Sequence, residues 1–253
     1  MHKIVLSPHI DDAILSLGGS IINWINSGYQ VQVINIFSKS ITYKKLCKIS
    51  GDDNLETTIR KKDESEIAYE IGNIFNYWDL PSNGCRMYGR FRKYLPLKYQ
   101  IRLESDKKVF IEIIKKFKEL FGTNVADIYI PLAPKRGGHI DHIIVREAAV
   151  YVANHFPANN TFWLYEDMPY CARDKTYLSF IMSNNLSEMR NNVSFSDRER
   201  LSLKYKSHVL KTWIEDMRQY YNAIQCERTW KILGKIDTKS LGYNITMNAS
   251  IKI

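Results

Sequence analysis

Four cysteines, seven prolines and twelve glycines are few for 253 residues, and their placement excludes several kinds of protein. Cys47, Cys85, Cys171 and Cys226 are widely separated and form no CxxC pair, so neither a disulfide framework nor a cysteine zinc site is expected. The glycines make no GxGxxG after the first strand-like segment. Carboxylates stand there instead and would repel a pyrophosphate. No apolar run approaches the roughly 20 residues that cross a bilayer. There is no internal repeat, low-complexity tract or recognisable nucleic-acid motif, so nucleic acid is not an expected partner. The chain enters an apolar segment at Lys3, leaving no room for a secretion signal, and the expected location is cytoplasmic.

What is present reads as a globular enzyme-sized chain, with 45% apolar and 25% charged residues. The length favours one large core over two small ones. The net charge of +9 concentrates in 86–98, 107–118 and the last third. Solvated helix faces account for such runs. An anionic small molecule, such as a sugar phosphate, or peripheral contact with an acidic membrane surface are the sharper readings.

Taken in order, Lys3–Leu6 and Tyr29–Phe37 read as strands around a helix over Ala13–Ser27, a right-handed βαβ start. Thr57–Gly72, Asp106–Phe121 and Asp141–Asn154 have helical patterns; Phe75–Leu80, Ala126–Pro131 and Thr161–Tyr165 read as strands. Ser38–Leu55 is a loop by composition, and the basic, aromatic stretch Gly84–Glu104 has no assignable pattern. Beyond Pro169 the strand signal fades and Asp197–Gln225 reads as a long helical region. The expectation is an α/β fold: a Rossmann-like, mostly parallel sheet flanked by helices, with a helical C-terminal third. The expected organisation is a single domain, 1–253, its core spanning about 1–170 and its helical part about 171–253.

Two short segments carry the chemistry. His9-Ile-Asp11-Asp12 follows the first strand, and Gly137-Gly-His139-Ile-Asp141-His142 precedes a helix after the Ala126–Pro131 strand. In a parallel sheet both loops lie at the carboxyl ends of strands, where ligands bind. Pooled, they hold three of the six histidines and three carboxylates. Two imidazoles and a carboxylate with open positions suit Zn²⁺ or Fe²⁺, and a spare carboxylate can act as general base. Helix capping is the plainer reading of either segment alone; two such segments at one end of one sheet favour a metal site. The pair Gly18-Gly19 predicts close packing of the first helix.

These segments, with Gly18-Gly19 after the first, resemble the two signatures of the PIG-L/LmbE-like family of metal-dependent N-acetylglucosamine-type deacetylases. Ile10 and Ile140 stand where the family commonly has proline. Arg60 and Glu64, Tyr165-Glu-Asp-Met-Pro-Tyr170 and Lys204-Tyr-Lys-Ser-His208 resemble further family segments, with His208 where glutamine is common. The resemblance implies that His9, Asp12 and His142 hold the metal and that Asp11 is the general base. It further implies that His139, steadied by Asp141, supplies positive charge or a proton near the tetrahedral intermediate. The implied reaction is hydrolysis of an N-acetyl group from an amino-sugar glycoside or conjugate, releasing acetate and a free amine.

Arg60, Glu166 and Asp167 are candidate substrate contacts. Arg60 and Glu64 also read as an exposed helix pair, worth about 0.3–0.5 kcal/mol. Trp78 and Asp79 end a strand on the active face but read better as core. Arg86, Arg90, Arg92 and Tyr94 read as a surface loop ahead of a phosphate site. His155 and His208 read as structural or surface residues, and Tyr205 and Trp213 as core. Two other functions stay open: a metal hydrolase of a different amide or ester, and a catalytically idle sugar- or nucleotide-binding protein.

Overall fold

Ile4, Val5 and Leu6 have no exposed surface because their strand, β1 (His2–Ser7), lies inside the sheet and is covered on both faces. The structure is a computed structural model, and it describes residues 1–40, 55–86, 104–123, 125–134, 139–156 and 159–237. Most of the expected loop over Ser38–Leu55, the segment bearing Arg90, Arg92 and Tyr94, the Gly137-Gly138 pair and the end of the chain lie outside the described residues.

The chain runs β1, α1 (Asp12–Asn26), β2 (Gln30–Asn35), α2 (Leu55–Ile71), β3 (Phe75–Tyr77), α3 (Asn83–Arg86), α4 (Glu104–Thr123), β4 (Ala126–Pro131) and α5 (Ile140–His155). It continues through β5 (Thr161–Tyr165), α6 (Tyr170–Arg173), α7 (Tyr177–Ser183), β6 (Leu186–Asn191), α8 (Phe195–Ser202), α9 (Lys211–Ile224) and β7 (Glu227–Ile232). The seven strands are ordered β3-β2-β1-β4-β5-β7-β6. β1 to β5 are mutually parallel along this order; β7 runs antiparallel to both β5 and β6. The mostly parallel α/β sheet expected from sequence is therefore present. Its C-terminal third contributes two strands as well as helices, and the expected helix over Asp197–Gln225 is two helices, α8 and α9, separated by a turn.

The two-residue period of a strand decides what each face buries. Ile4, Leu6, Ile128, Ile130 and Leu164 point to one side, against α4 and α5 residues such as Phe117 and Ala148. Val5, Val33, Tyr129, Trp163 and Tyr165 point to the other, against Ile14 and Ile21 of α1, Ile67 of α2 and Leu201 of α8. Each such aliphatic side chain removed from water stabilises the fold by about 1.5–3 kcal/mol. Among the described residues no helix is long and apolar enough to cross a membrane.

The connection order reverses between β1 and β4: β2 and β3 lie on one side, β5 on the other. Such a switch point opens a crevice at the strands' carboxyl ends, because the loops leaving neighbouring strands turn to opposite faces. The loops after β1 and β4 are the two that carry His9–Asp12 and His139–His142.

α1 is broken at Leu17, whose φ of −128° and ψ of 17° are not helical. The amides of Gly19 and Ser20 instead donate to the Glu227 carboxylate of β7, at 3.1 and 2.8 Å. A Cβ on Gly19 would stand 2.7 Å from Val193 Cγ2, so the expected close packing is against the C-terminal elements. Glu227 also faces the buried Arg198 guanidinium at 3.6 Å. Glu227→Ala removes the acceptor of both amides and leaves a buried cation unpaired. It is expected to destabilise the fold by about 3–5 kcal/mol, read as a lower urea midpoint with an unchanged slope.

Candidate metal centre

The loop after β1 is built locally. Ser7 Oγ donates to the His9 carbonyl at 2.6 Å and accepts the Ala13 amide at 3.1 Å, folding the chain back into α1. Asp11, the residue before the helix, has φ 156° and ψ −34°, a conformation that costs about 1–3 kcal/mol outside glycine and persists only where its surroundings hold it. The His9 amide donates to Asp12 Oδ2 at 2.8 Å, turning that carboxylate towards the His9 ring. After β4, His139 caps α5: its Nδ1 accepts the Asp141 amide at 3.2 Å. One turn of helix then places His142 beside His9.

Three atoms converge. His9 Nδ1 lies 3.2 Å from Asp12 Oδ2, His142 Nε2 lies 3.2 Å from the same oxygen, and the two nitrogens are 3.1 Å apart. The other nitrogen of each ring meets a carboxylate: His9 Nε2 with Asp141 Oδ2 at 2.8 Å, His142 Nδ1 with Asp167 Oδ2 at 2.6 Å. In neutral rings whose outer nitrogens donate, both inner nitrogens present lone pairs, and three acceptors face one another. That arrangement calls for positive charge among the three, from a metal ion or from protons on the rings. Edges of 3.1–3.2 Å are also what ligands about 2.0–2.1 Å from one ion span. The residues fit a divalent metal, and carboxylates behind ligating histidines are the usual support.

The field around the triangle favours positive charge there. Burial opposes charge throughout, yet His142 and His9 hold the Asp12 carboxyl below its ordinary range. Against the same burial, Asp12 and Asp167 hold the His142 ring well above its own. Burial instead pushes His139 down to about 3, so its ring is neutral at ordinary pH. Asp141 is held well below its usual range, against burial, chiefly by Arg86.

Several sequence expectations are corrected here. Asp141 meets His139 through its backbone amide and with its carboxylate, Oδ2 lying 3.6 Å from His139 Nδ1, and that carboxylate is also held by His9, by the Asn83 amide at 2.8 Å and by Arg86 at 2.6 Å. Arg86 is no surface residue: its guanidinium is buried, also paired with Asp106 at 3.0 Å and donating to the Pro81 carbonyl at 2.7 Å. Glu166 does not face the site. Buried, it accepts from Tyr177 and Tyr220 and pairs with Arg228. Asp167 acts on His142, where no substrate contact is open to it. Arg60 pairs with Glu56 at 2.9 Å, four residues before it, and Glu64 is buried. Trp78 packs on Phe117 with ring centroids 5.3 Å apart, as core. Asp79 pairs with Lys61 at 2.8 Å.

A cavity of about 230 Å³ opens above the triangle. His9, Asp11, Asp12 and His139 form its polar floor, and Arg60 enters its wall. Tyr170, Trp213 and His208 are among the other residues that line it. Sequence reasoning placed Trp213 in the core and His208 outside the site. His208 is buried, with Nε2 3.2 Å from Asp11 Oδ2. The only signal that could have found it is its place in a family-like segment.

A family model described as PIG-L, GlcNAc-PI de-N-acetylase, matches residues 4–153, more than half of the chain. No curated protein matches. Among solved structures, the zinc-inhibited form of teicoplanin deacetylase Orf2 superposes with a TM-score of 0.67 at 18% identity, covering 91% of this chain and 97% of that one. N,N'-diacetylchitobiose deacetylase from Pyrococcus horikoshii superposes with a TM-score of 0.56 at 14% identity, over 98% and 87%. GalB, the 4-carboxy-2-hydroxymuconate hydratase of Pseudomonas putida KT2440, gives 0.56 at 10%, over 93% and 98%. At such identities the likeness is one of fold.

Glu64 stands behind this site, accepting from Asn35 at 2.8 Å and Tyr205 at 3.0 Å. Burial, assisted by nearby Asp11, raises it from an ordinary 4.5 to about 7. The folded state therefore keeps a proton that the unfolded chain releases, and stability falls as pH rises from about 4.5 to 7. Glu64→Gln removes that slope. The unfolding free energy of the variant minus that of the wild type should rise by about 3 kcal/mol across this window and be flat above it. A flat difference throughout, in chemical denaturation at several pH values, would contradict a buried Glu64. Two loops at one switch point, three converging ligand atoms and the 4–153 match lead to one assignment: this chain is a member of the PIG-L deacetylase family.

Proposed function

We propose that the protein is a metal-dependent N-deacetylase that releases acetate from an N-acetylated amino sugar carried on a glycoside or conjugate. The observation that carries this is a triangle of three lone pairs beside a second carboxylate, Asp11, at the floor of a small-molecule cavity. Fold alone does not choose the reaction, since a hydratase shares it. The proposal draws on the family and on the deacetylases of similar fold.

His9, Asp12 and His142 would hold the ion, Zn²⁺ or another divalent metal such as Fe²⁺. When bound, it polarises the amide carbonyl and makes a neighbouring water acidic. Asp11 accepts the proton that this water loses as its oxygen adds to the carbonyl carbon. The C–N bond then breaks, acetate forms, and the leaving nitrogen takes a proton to depart as the free amine. His139, neutral before reaction, stands across the floor from Asp11 as a hydrogen-bond donor or proton carrier for this step. Arg60 in the wall is the proposed contact for sugar hydroxyls or an anionic substituent. Asp141 and Asp167 keep the two ligating rings in the tautomer that leaves their inner nitrogens free.

The test pairs metal analysis with acetate release from N-acetylglucosamine, its 1-phosphate, N,N'-diacetylchitobiose and an alkyl N-acetylglucosaminide. Wild type should bind about one divalent ion per chain and release acetate from at least one of these; His142→Ala should lose both. Asp11→Asn should retain the metal and lose about 10²–10⁴-fold in turnover. Metal-loaded wild type without acetate release, or a fully active Asp11→Asn, refutes the assignment.

A further inference from the structure

His208 meets both the Asp11 side chain and the carbonyl of the residue before it. Its Nε2 lies 3.0 Å from the Ile10 carbonyl oxygen and 3.2 Å from Asp11 Oδ2. Both are acceptors, so this nitrogen carries the proton and shares it between them. One partner is the peptide entering Asp11, the other is the Asp11 side chain. A single N–H thus grips a residue from both sides, and that residue's φ of 156° is the strained one at the start of α1.

The opposite edge of the ring is anchored too. Nδ1 lies 2.8 Å from Ser207 Oγ, and that hydroxyl lies 2.5 Å from Asp63 Oδ2, which also accepts the Ser207 amide at 3.0 Å. Ser207 Oγ is thus within hydrogen-bond reach of both Nδ1 and Asp63 Oδ2, with one hydroxyl proton to share between them. The ring is held in line between two carboxylates, Asp11 inside the cavity and Asp63 on α2. Tyr205 packs edge-on against it with centroids 5.4 Å apart, and the tight turn after α8 makes the placement rigid. A surface or purely structural histidine needs no such alignment on a cavity carboxylate.

We propose that His208, backed by Ser207 and Asp63, is a positioning residue that clamps Asp11 in its strained, reactive orientation. The role of Asp11 as base rests on the deacetylase reading; the clamp itself does not. His208 holds one carboxylate oxygen and the preceding peptide, so the carboxylate cannot swing away from the cavity as it gains and loses a proton. A glutamine at this position could still donate one N–H to the same acceptors but could not reach Asp63 through an aromatic ring.

The test reads the ring directly, by nitrogen-15 imidazole spectra of histidine-labelled full-length protein, with the His208 signals identified by their loss in His208→Gln. Asp11→Asn and Asp63→Asn should each move them. Signals that stay in place in both variants overturn the clamp, whatever the activity shows. In turnover with the acetate-release substrates, His208→Ala should lower kcat about 10- to 100-fold while KM changes less than about twofold. His208→Gln should recover most of that loss. An unchanged kcat in His208→Ala also overturns the proposal. If wild type releases no acetate from any substrate, the deacetylase reading falls, and the imidazole spectra alone decide for or against the clamp.

Discussion

Three acceptor atoms within about 3.2 Å of one another are the constraint that the site is built to withstand. Left alone, they would turn apart. Each is instead pinned from behind by something stiffer than itself. His9 leans on Asp141, Asp141 on the buried Arg86, and Arg86 on Asp106 at the start of α4. His142 leans on Asp167, which follows β5, and Asp12 takes the amide of His9. The chain of supports runs from a cavity floor to elements on both sides of the sheet. A buried ion pair adds little net stability in general, but here it holds repelling groups at a set distance, which apolar packing cannot do.

Much of the fold could be read from the sequence because parallel strands buried on both faces are near-continuous apolar runs. KIVL, VIN, ADIYIP and TFWLY each lie within a strand. β6 and β7 escaped because their signal is weak: LSEMRN is an exposed edge strand, and ERTWKI alternates charged with apolar residues that a helix also tolerates. The candidate ligands His9, Asp12 and His142 could be grouped from the sequence because they sit on two short strand-to-helix turns, His9 and Asp12 three residues apart. Their supports could not. Arg86 reaches Asp141 across 55 positions and His208 reaches Asp11 across 197, and nothing in the local pattern of either segment marks a charge meant for burial. Glu166 failed for the opposite reason: its place at the end of β5 fitted a site residue, but its carboxylate turns to Tyr177 and Tyr220.

The low identities to structures of the same fold follow from this division of labour. A parallel sheet accepts many apolar sequences, since its demand is for near-continuous runs of apolar, often branched side chains. The two loops at the switch point occupy a small fraction of the chain. Likeness of topology therefore persists at low overall identity.

The break in α1 has a consequence for the order in which the molecule comes together. Gly19 and Ser20, a few residues beyond Asp12, donate to Glu227. A chain emerging from the ribosome makes the His9–Asp12 loop first and this acceptor more than two hundred residues later. Until β7 pairs with β5, these two amides and Arg198 lack the Glu227 carboxylate. The segment matched by the family model, 4–153, does not contain this acceptor. Its first helix is met by a strand outside it, a contact of high sequence separation of the kind that slows folding.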